Sequence, residues 1–220
     1  MGKQRKIGIY SGSFNPIHIG HLALANWLAE YTDLEEIWFV VSPQNPFKQQ
    51  QTLMPDEFRL QLVREAIGDY PRFRVCDVEL RLPRPSYTID TLAALSAHHG
   101  DCEFHLIIGS DNWAHFGGWK KAGEILASYH LVIYPRPGYP MPEVAPTSTI
   151  RLIQAPVLEI SSSFIRTAIA EGKDIRFFLP ESIWKYGEQM GTWMRELSHR
   201  YGQADGLGKK AYRYGTNSLG

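Results

Sequence analysis

Short runs of apolar residues alternate with segments of helical periodicity along most of the chain, and this alternation constrains its fold more than any other feature. Continuous apolar runs of four to eight residues are typical of strands that are covered on both faces of a sheet. The predicted strands are residues 7–10, 37–41, 73–76, 104–108, 130–134 and 151–153. Because helical segments separate them, the sequence predicts an α/β protein with a single-domain, Rossmann-like, doubly wound parallel sheet.

Chain length and the positions of glycine and proline predict one domain followed by a tail. Its 220 residues suffice for one well-packed domain, which we assign to residues 1–197. Residues 198–220 contain several glycines, few apolar side chains and a net positive charge, so we predict an irregular basic tail there. Prolines mark residues 135–146 as a loop.

The charge balance argues against two classes of partner. Lys and Arg number 23, as do Asp and Glu, so we expect no nucleic-acid partner and no attachment to an anionic membrane. No apolar run is long enough for a membrane span, and two cysteines are too few for a disulfide scaffold. We expect a cytoplasmic protein, and the sequence leaves a homo-oligomer open.

The segment after the first predicted strand, residues 12–21, carries the strongest functional signal. It reads GSFNPIHIGH and opens the first helix. Ligands of open parallel sheets bind beyond the carboxyl ends of strands, where a helix N-terminus offers free N–H groups to phosphate. Gly12 allows close approach of an anion, and Gly20 allows tight packing beneath it. His18 and His21 share one face of the first turn, so both can donate to one phosphate chain.

A second candidate phosphate site lies near residue 160. Ser161, Ser162 and Ser163 are good N-cap residues in front of a short amphipathic helix. Arg166 returns to the same face three residues after Ser163 and carries a planar donor suited to phosphate oxygens. Taken alone, this pattern also fits a capped helix with a solvated arginine.

Residues 12–21 resemble the nucleotidyltransferase superfamily, whose mark is His-x-Gly-His after the first strand. The whole set of motifs resembles the bacterial nicotinate-mononucleotide adenylyltransferases, and the similarity spans about residues 5–190. Two positions depart from the pattern: Phe47 stands where His is frequent, and Ser163 replaces the usual Thr. The further matching segments are residues 45–48 (NPFK), 86–92 (SYTIDTL), 108–111 (IGSD) with Trp119 after it, and 160–166 (ISSSFIR).

The resemblance implies transfer of AMP from ATP to nicotinate mononucleotide (NaMN), giving deamido-NAD and pyrophosphate in NAD biosynthesis. It implies that His18, His21 and Arg166 are catalytic and that Mg²⁺ is carried mainly by the ATP phosphates, without a dedicated metal site on the protein. The implied acceptor-binding residues are Ser13, Lys48, Thr88, Trp119 and Lys120. The implied ATP-binding residues are Gly12, Ser13, Phe14, His18, His21, Gly109, Asp111, Ile160, Ser161, Ser162, Ser163 and Arg166.

Three other functions compete with this reading. Class I aminoacyl-tRNA synthetases share the His-x-Gly-His signature, but this chain is short for one and has no Lys-Met-Ser-Lys-Ser segment. Phosphopantetheine adenylyltransferases tend to be shorter and carry Thr-Phe-Asp after the first glycine. A catalytically silent nucleotide-binding module is the third alternative, and the presence of every expected phosphate-contacting residue weighs against it.

Overall fold

A six-stranded parallel sheet forms the centre of the protein. The computed structural model describes residues 4–43, 53–143, 147 and 149–201. The strands are β1 (Arg5–Gly12), β2 (Glu36–Val41), β3 (Phe73–Cys76), β4 (Cys102–Gly109), β5 (His130–Tyr134) and β6 (Ile150–Leu152). Neighbouring strands all pair in parallel, in the order β3-β2-β1-β4-β5-β6. The predicted fold class is confirmed.

Helices connect the strands and cover both faces of the sheet. They are α1 (Ile19–Tyr31), α2 (Asp56–Ile67), α3 (Val78–Arg81), α4 (Thr88–His98), α5 (Ser110–Ala114), α6 (Ala122–Ser128), α7 (Ser162–Ala170), α8 (Glu181–Trp184) and α9 (Gly187–Tyr201). None of the described helices is both long and apolar enough to cross a membrane.

Each face of the sheet has its own apolar core. On one face, Phe39 of β2 belongs to a buried cluster with side chains of α1, α2, α7 and α9, including Leu28 and Val63. On the other face, Ile9 of β1 belongs to a cluster with α4 and α6, including Leu92 and Ile125. Burial on both faces explains why the central strands are continuously apolar in sequence.

The strand order creates a crevice above the middle of the sheet. From β1 the chain crosses to β2 on one side, whereas β4 lies against the other edge of β1. Connections that leave neighbouring strands in opposite directions open a gap at the carboxyl ends of those strands, which is where α/β proteins bind ligands. The segment after β1 and the segment after β4 both border this gap.

Several short helices and the end of the last helix differ from the sequence expectations. Helices α3, α5, α6 and α8 are too short to show a helical period in the sequence. Gly187 and Gly191 lower the helix propensity of α9, which the packing of Met190 and Met194 stabilises. Helix α9 runs to Tyr201, so the predicted start of the tail at residue 198 falls inside it. Residues 202–220 lie outside the described part of the chain.

Candidate active site

The loop between β1 and α1 is held in an unusual backbone conformation. Phe14 has φ of 41°, in the left-handed region that bulky residues rarely adopt. Its side chain is 2% exposed and packs against the rings of Tyr10, Phe39 and His21. Burial of the ring therefore offsets the backbone strain and directs the loop towards the start of α1.

The two motif histidines form one unit at the N-terminus of α1. Their rings stack with centroids 3.7 Å apart, and the His18 N–H donates to His21 Nδ1 at 3.2 Å. Because that backbone donor requires Nδ1 of His21 to be an acceptor, the proton of its neutral ring lies on Nε2. His21 Nε2–H is thus a defined donor.

His18 is buried, with 4% exposure, and is held neutral. Burial, assisted by the positive charge of Arg136, lowers the pKa of His18 to about 3. Its Nδ1 finds no hydrogen-bond partner among the described residues. A Cβ atom at Gly20 would lie 3.1 Å from that Nδ1, so a glycine at this position allows the ring to pack closely on the helix. Buried polar atoms without a partner are rare in proteins and can mark a ligand contact.

The N-terminus of α7 docks against the same loop. Ser162 Oγ donates to the carbonyl of Pro16 at 2.9 Å, and Arg166 Nη1 donates to the carbonyl of Asn15 at 2.8 Å. Ser161 caps the helix by accepting from the Phe164 N–H at 3.1 Å. The first turns of two helices, with their unpaired N–H groups and positive dipole ends, consequently lie side by side.

Asp111, in the first turn of α5, lies beside Arg136, which follows β5. Asp111 Oδ2 lies 3.8 Å from Nε of Arg136, and Asp111 Oδ1 is buried without a partner among the described residues. A Cβ atom at Gly109 would lie 2.6 Å from Cγ of Arg136, so only glycine leaves both side chains in place. Asp111 Oδ1 is thus a buried acceptor whose hydrogen-bonding capacity is unused among the described residues.

A cavity of about 610 Å³ opens beyond β1 and β4. Its volume is in the usual range for small-molecule sites. Thr88 at the start of α4 and the Trp119 ring line it, and Gly12, Ser13 and Gly109 join it to the histidine loop. The cavity thus adjoins the loop after β1, although His18, His21 and Arg166 are not among the residues that line it.

Glu79 is a buried carboxylate on the wall of this cavity, with 5% exposure. It accepts hydrogen bonds from Ser11 Oγ at 3.0 Å, Ser86 Oγ at 3.1 Å and Thr91 Oγ1 at 3.1 Å. These hydroxyls come from β1, from the segment before α4 and from α4 itself. Glu79 thereby fixes the start of α4, and with it Thr88, relative to β1.

Arg59 performs a similar task beneath the loop. Its guanidinium is fully buried and donates to the carbonyls of Ser13, Ser42 and Met54, and it pairs with Asp56 at 2.5 Å. A buried cation with this many acceptors is satisfied, so it acts as a fixed brace between the ends of β1 and β2.

Most of the site residues predicted from sequence border the loop after β1 or the cavity, and the side chains or N–H groups of some are already engaged. The phenyl ring of Phe14 is not available to ATP because it is in the core. The N–H of Ile160 donates to the carbonyl of Leu158 at 2.8 Å, although the residue lies beside Gly20. The ammonium of Lys120 pairs with Asp90 at 2.9 Å, so only its backbone remains for a ligand. Lys48 lies outside the described residues.

Three residues of the site were not found by sequence reasoning: Glu79, Arg59 and Arg136. Arg136 lies two residues after the end of β5, and the rule that ligands bind beyond the carboxyl ends of parallel strands would have pointed to it. Flanking prolines made that segment look like an ordinary loop. Glu79 and Arg59 carry no local signal, because their partners come from distant parts of the chain.

Comparison with known proteins identifies the family of this chain. A family model described as cytidylyltransferase-like matches residues 9–168. The chain therefore belongs to the cytidylyltransferase-like proteins, a class of nucleotidyltransferases. Among curated relatives, a Bacteroides thetaiotaomicron protein is 54% identical over 181 residues, which cover 82% of this chain and 90% of the relative. A Porphyromonas gingivalis relative is 50% identical over 174 residues, covering 79% and 88%.

Both relatives are named "Probable nicotinate-nucleotide adenylyltransferase". At this identity and coverage, the chain is a member of the nicotinate-nucleotide adenylyltransferase family, as its motifs predicted. Among solved structures, the Plasmodium falciparum nicotinic acid mononucleotide adenylyltransferase complexed with NaAD has a TM-score of 0.69 at 20% identity. That match covers 88% of this chain and 96% of the other, and it supports the fold.

Proposed function

We propose that this protein transfers AMP from ATP to NaMN within the crevice above β1 and β4, forming deamido-NAD and releasing pyrophosphate. One observation supports this most strongly: the N-termini of α1 and α7 converge on the loop that also borders the cavity of Thr88 and Trp119. A polyanion and a small planar ring would thus be held beside each other.

We propose that ATP occupies the histidine side of the crevice. The N-termini of α1 and α7 and the guanidinium of Arg166 would attract the triphosphate, and the rings of His18 and His21 would donate hydrogen bonds to it. Asp111 Oδ1, buried without a described partner, would accept from a ribose hydroxyl. Arg136 lies close enough to His18 to influence its pKa and would add a further cation beside the phosphates.

We propose that NaMN occupies the cavity. Trp119 would stack on the pyridine ring, and its own face is held by Phe116 with ring centroids 5.2 Å apart. The carboxylate would accept from Thr88 at the positive end of α4 and from the backbone N–H of Lys120. Ser13, together with Lys48, would bind the acceptor phosphate.

The chemistry needs positioning and charge stabilisation more than proton transfer. An acceptor phosphate oxygen attacks the α-phosphorus of ATP; the bond to the bridging oxygen breaks, and its electron pair leaves on pyrophosphate. A phosphate monoester has a second pKa of about 6, so it is largely dianionic at neutral pH and requires no general base. Donors from His18, His21 and Arg166 would stabilise the charge that grows on the departing phosphates.

Mg²⁺ is best regarded as part of the ATP substrate. Of the carboxylates described in the crevice, Glu79 already accepts three hydroxyl hydrogen bonds and Asp111 lies beside Arg136. These two do not form a cage for a protein-held ion. Mg²⁺ bound to the phosphates and water would neutralise charge there.

The decisive experiment measures pyrophosphate release from MgATP with different acceptors. NaMN should support turnover, whereas phosphopantetheine or an amino acid with tRNA should not. The amide of nicotinamide mononucleotide lacks the charge that strengthens both proposed carboxylate contacts. The kcat/KM for nicotinamide mononucleotide should therefore be lower than that for NaMN by on the order of 10²-fold. A preference for phosphopantetheine or for the amide would contradict the assignment of the acceptor.

We also propose that the enzyme acts in the cytoplasm, where both of its cysteines would remain thiols. Cys76 and Cys102 are free in the structure, and burial is the main cause that raises the pKa of each thiol. Fractionation of cells that express the protein would test this location.

A further inference from the structure

A second cluster of ligand-type side chains lies at the other end of the sheet. Glu103 and His105 are near the amino end of β4, and His130 is the first residue of β5. Their donor atoms all lie within 4.8 Å of one another. His105 is four residues before Gly109, so the cluster is about 13 Å along β4 from the crevice.

The register of the sheet brings these three residues together. Glu103 and His105 are two apart on one strand, so their side chains leave the same face. His130 pairs with His105 across parallel strands, and the two rings stack with centroids 4.6 Å apart. Glu103 Oε1 lies 2.7 Å from Nε2 of His105 and 3.8 Å from Nε2 of His130. The backbone therefore places the three groups side by side.

We propose that Glu103, His105 and His130 bind a single Zn²⁺ ion that links the amino ends of β4 and β5. Two imidazoles and a carboxylate are a common ligand set for zinc. Ligand atoms around tetrahedral zinc, at about 2.0–2.1 Å from the ion, lie about 3.3 Å from each other. The distances from Glu103 Oε1 fall on either side of that value, and rotation of the stacked histidine rings would be needed to aim both at one ion.

The protonation chemistry permits such a site. An imidazole binds a metal ion through a ring nitrogen that carries no proton. In the hydrogen bond with Glu103, a proton lies between Nε2 and Oε1. Zinc can bind Nε2 if the proton of the neutral ring moves to Nδ1, which gives the other tautomer.

Neighbouring charges and access are compatible with a bound cation. The charge of Glu103 attracts Lys6, which lies on the adjacent strand β1, but the ammonium of Lys6 is bonded to Asp33 at 2.6 Å. Asp33 also pairs with Arg151 at 2.5 Å, so both cations are bonded to the Asp33 carboxylate. Glu103 and His130 border a surface depression of about 380 Å³, through which an ion could reach them.

The expected consequence is stability and not catalysis. An ion that binds the folded chain but not the unfolded chain stabilises it by mass action. At a free zinc concentration of about 100 times Kd, the Tm should rise by about 5 °C or more. Since the cluster is remote from the crevice, kcat for the adenylyl transfer should change little.

The test uses the full chain after treatment with a chelator and its removal. Zn²⁺ binding is measured by calorimetry and by Tm, and Co²⁺ serves as a spectroscopic probe of tetrahedral coordination. Glu103→Gln, His105→Ala and His130→Ala should each weaken zinc binding by at least about 10-fold, the least that loss of even an outer-shell partner costs. His99→Ala is the matched control, because His99 borders the same depression but packs its ring on Trp38.

The outcomes separate a metal site from a purely structural hydrogen-bonded cluster. If the cluster is purely structural, each variant should lower the Tm by the same amount with and without zinc, and zinc should not raise the Tm of the wild type. Either result overturns the proposal. His130 is partly exposed, so His130→Ala provides a folded variant if His105→Ala does not fold. If His18→Ala abolishes zinc binding and His130→Ala does not, the ion binds in the crevice and the proposal is wrong.

Discussion

Replacing His18 should change how the stability of the protein depends on pH. The pKa of His18 is about 3 in the folded chain against 6.5 for an ordinary histidine. Below pH 6.5 the unfolded chain takes up a proton at this position that the folded chain does not, so the free energy of unfolding falls as pH falls. The loss is about 1.4 kcal/mol per pH unit, or about 2 kcal/mol between pH 6.5 and pH 5.

His18→Asn removes this titration while keeping a polar side chain. Urea unfolding at 25 °C should show that the wild type loses about 2 kcal/mol more than the variant between pH 7.5 and pH 5. Contributions of all other groups cancel in this difference, provided that the fold is unchanged. Equal losses in both proteins, or an NMR titration of His18 near pH 6.5, would show that the ring is not held neutral.

The same titration reports on the proposed phosphate site. A nearby polyanion favours the charged imidazolium, so saturation with inorganic pyrophosphate should raise the pKa of His18. NMR of the histidine Cε1–H signals follows the shift directly. A pKa that does not respond to bound pyrophosphate would place the phosphates away from this ring.

Further predictions concern an arginine, a buried carboxylate and the end of the chain. Arg166→Lys keeps the charge but loses the fork that reaches Asn15 and Ser163, and steady-state kinetics should show kcat lower by about 10²-fold. A kcat near that of the wild type would make Arg166 structural. Glu79→Gln leaves at least one of three hydroxyls without its acceptor and loosens the start of α4, so the KM for NaMN should rise about 10-fold with little change for ATP. An equal effect on both substrates would refute this selective role. Deletion of residues 202–220, rich in glycine and poor in apolar side chains, should leave kcat/KM within about twofold; a large loss would show that the segment contributes to the site.

The parts of the fold that could be predicted from sequence are those in which local pattern and tertiary environment agree. Continuous apolar runs identified the strands because both faces of the sheet are covered. Helix α9 was not predicted because its glycines have low helix propensity, whereas in the structure the burial of Met190 and Met194 outweighs that propensity. The short helices α3 and α8, of four residues each, have too few turns to show a period.

In the candidate site, residues close together in sequence could be predicted to act together, whereas contacts between distant segments could not. His18 and His21 are adjacent on one helical turn, so the sequence alone predicts that they act together. The partners of Arg59 and Glu79 come from separate elements, and no local pattern reports such contacts. For Phe14, the motif predicts a ligand contact, and the structure adds that the ring supports the loop from within the core, which leaves its backbone for a ligand.

The bond between Arg166 and the carbonyl of Asn15 joins residues separated by 151 positions. During synthesis, the first strand and its histidine loop leave the ribosome long before the helix that carries Arg166. A nascent chain consequently holds an incomplete crevice until most of the domain has been made. Truncated products of interrupted translation would retain the histidine motif and yet lack the second helix terminus, which would keep them from using ATP.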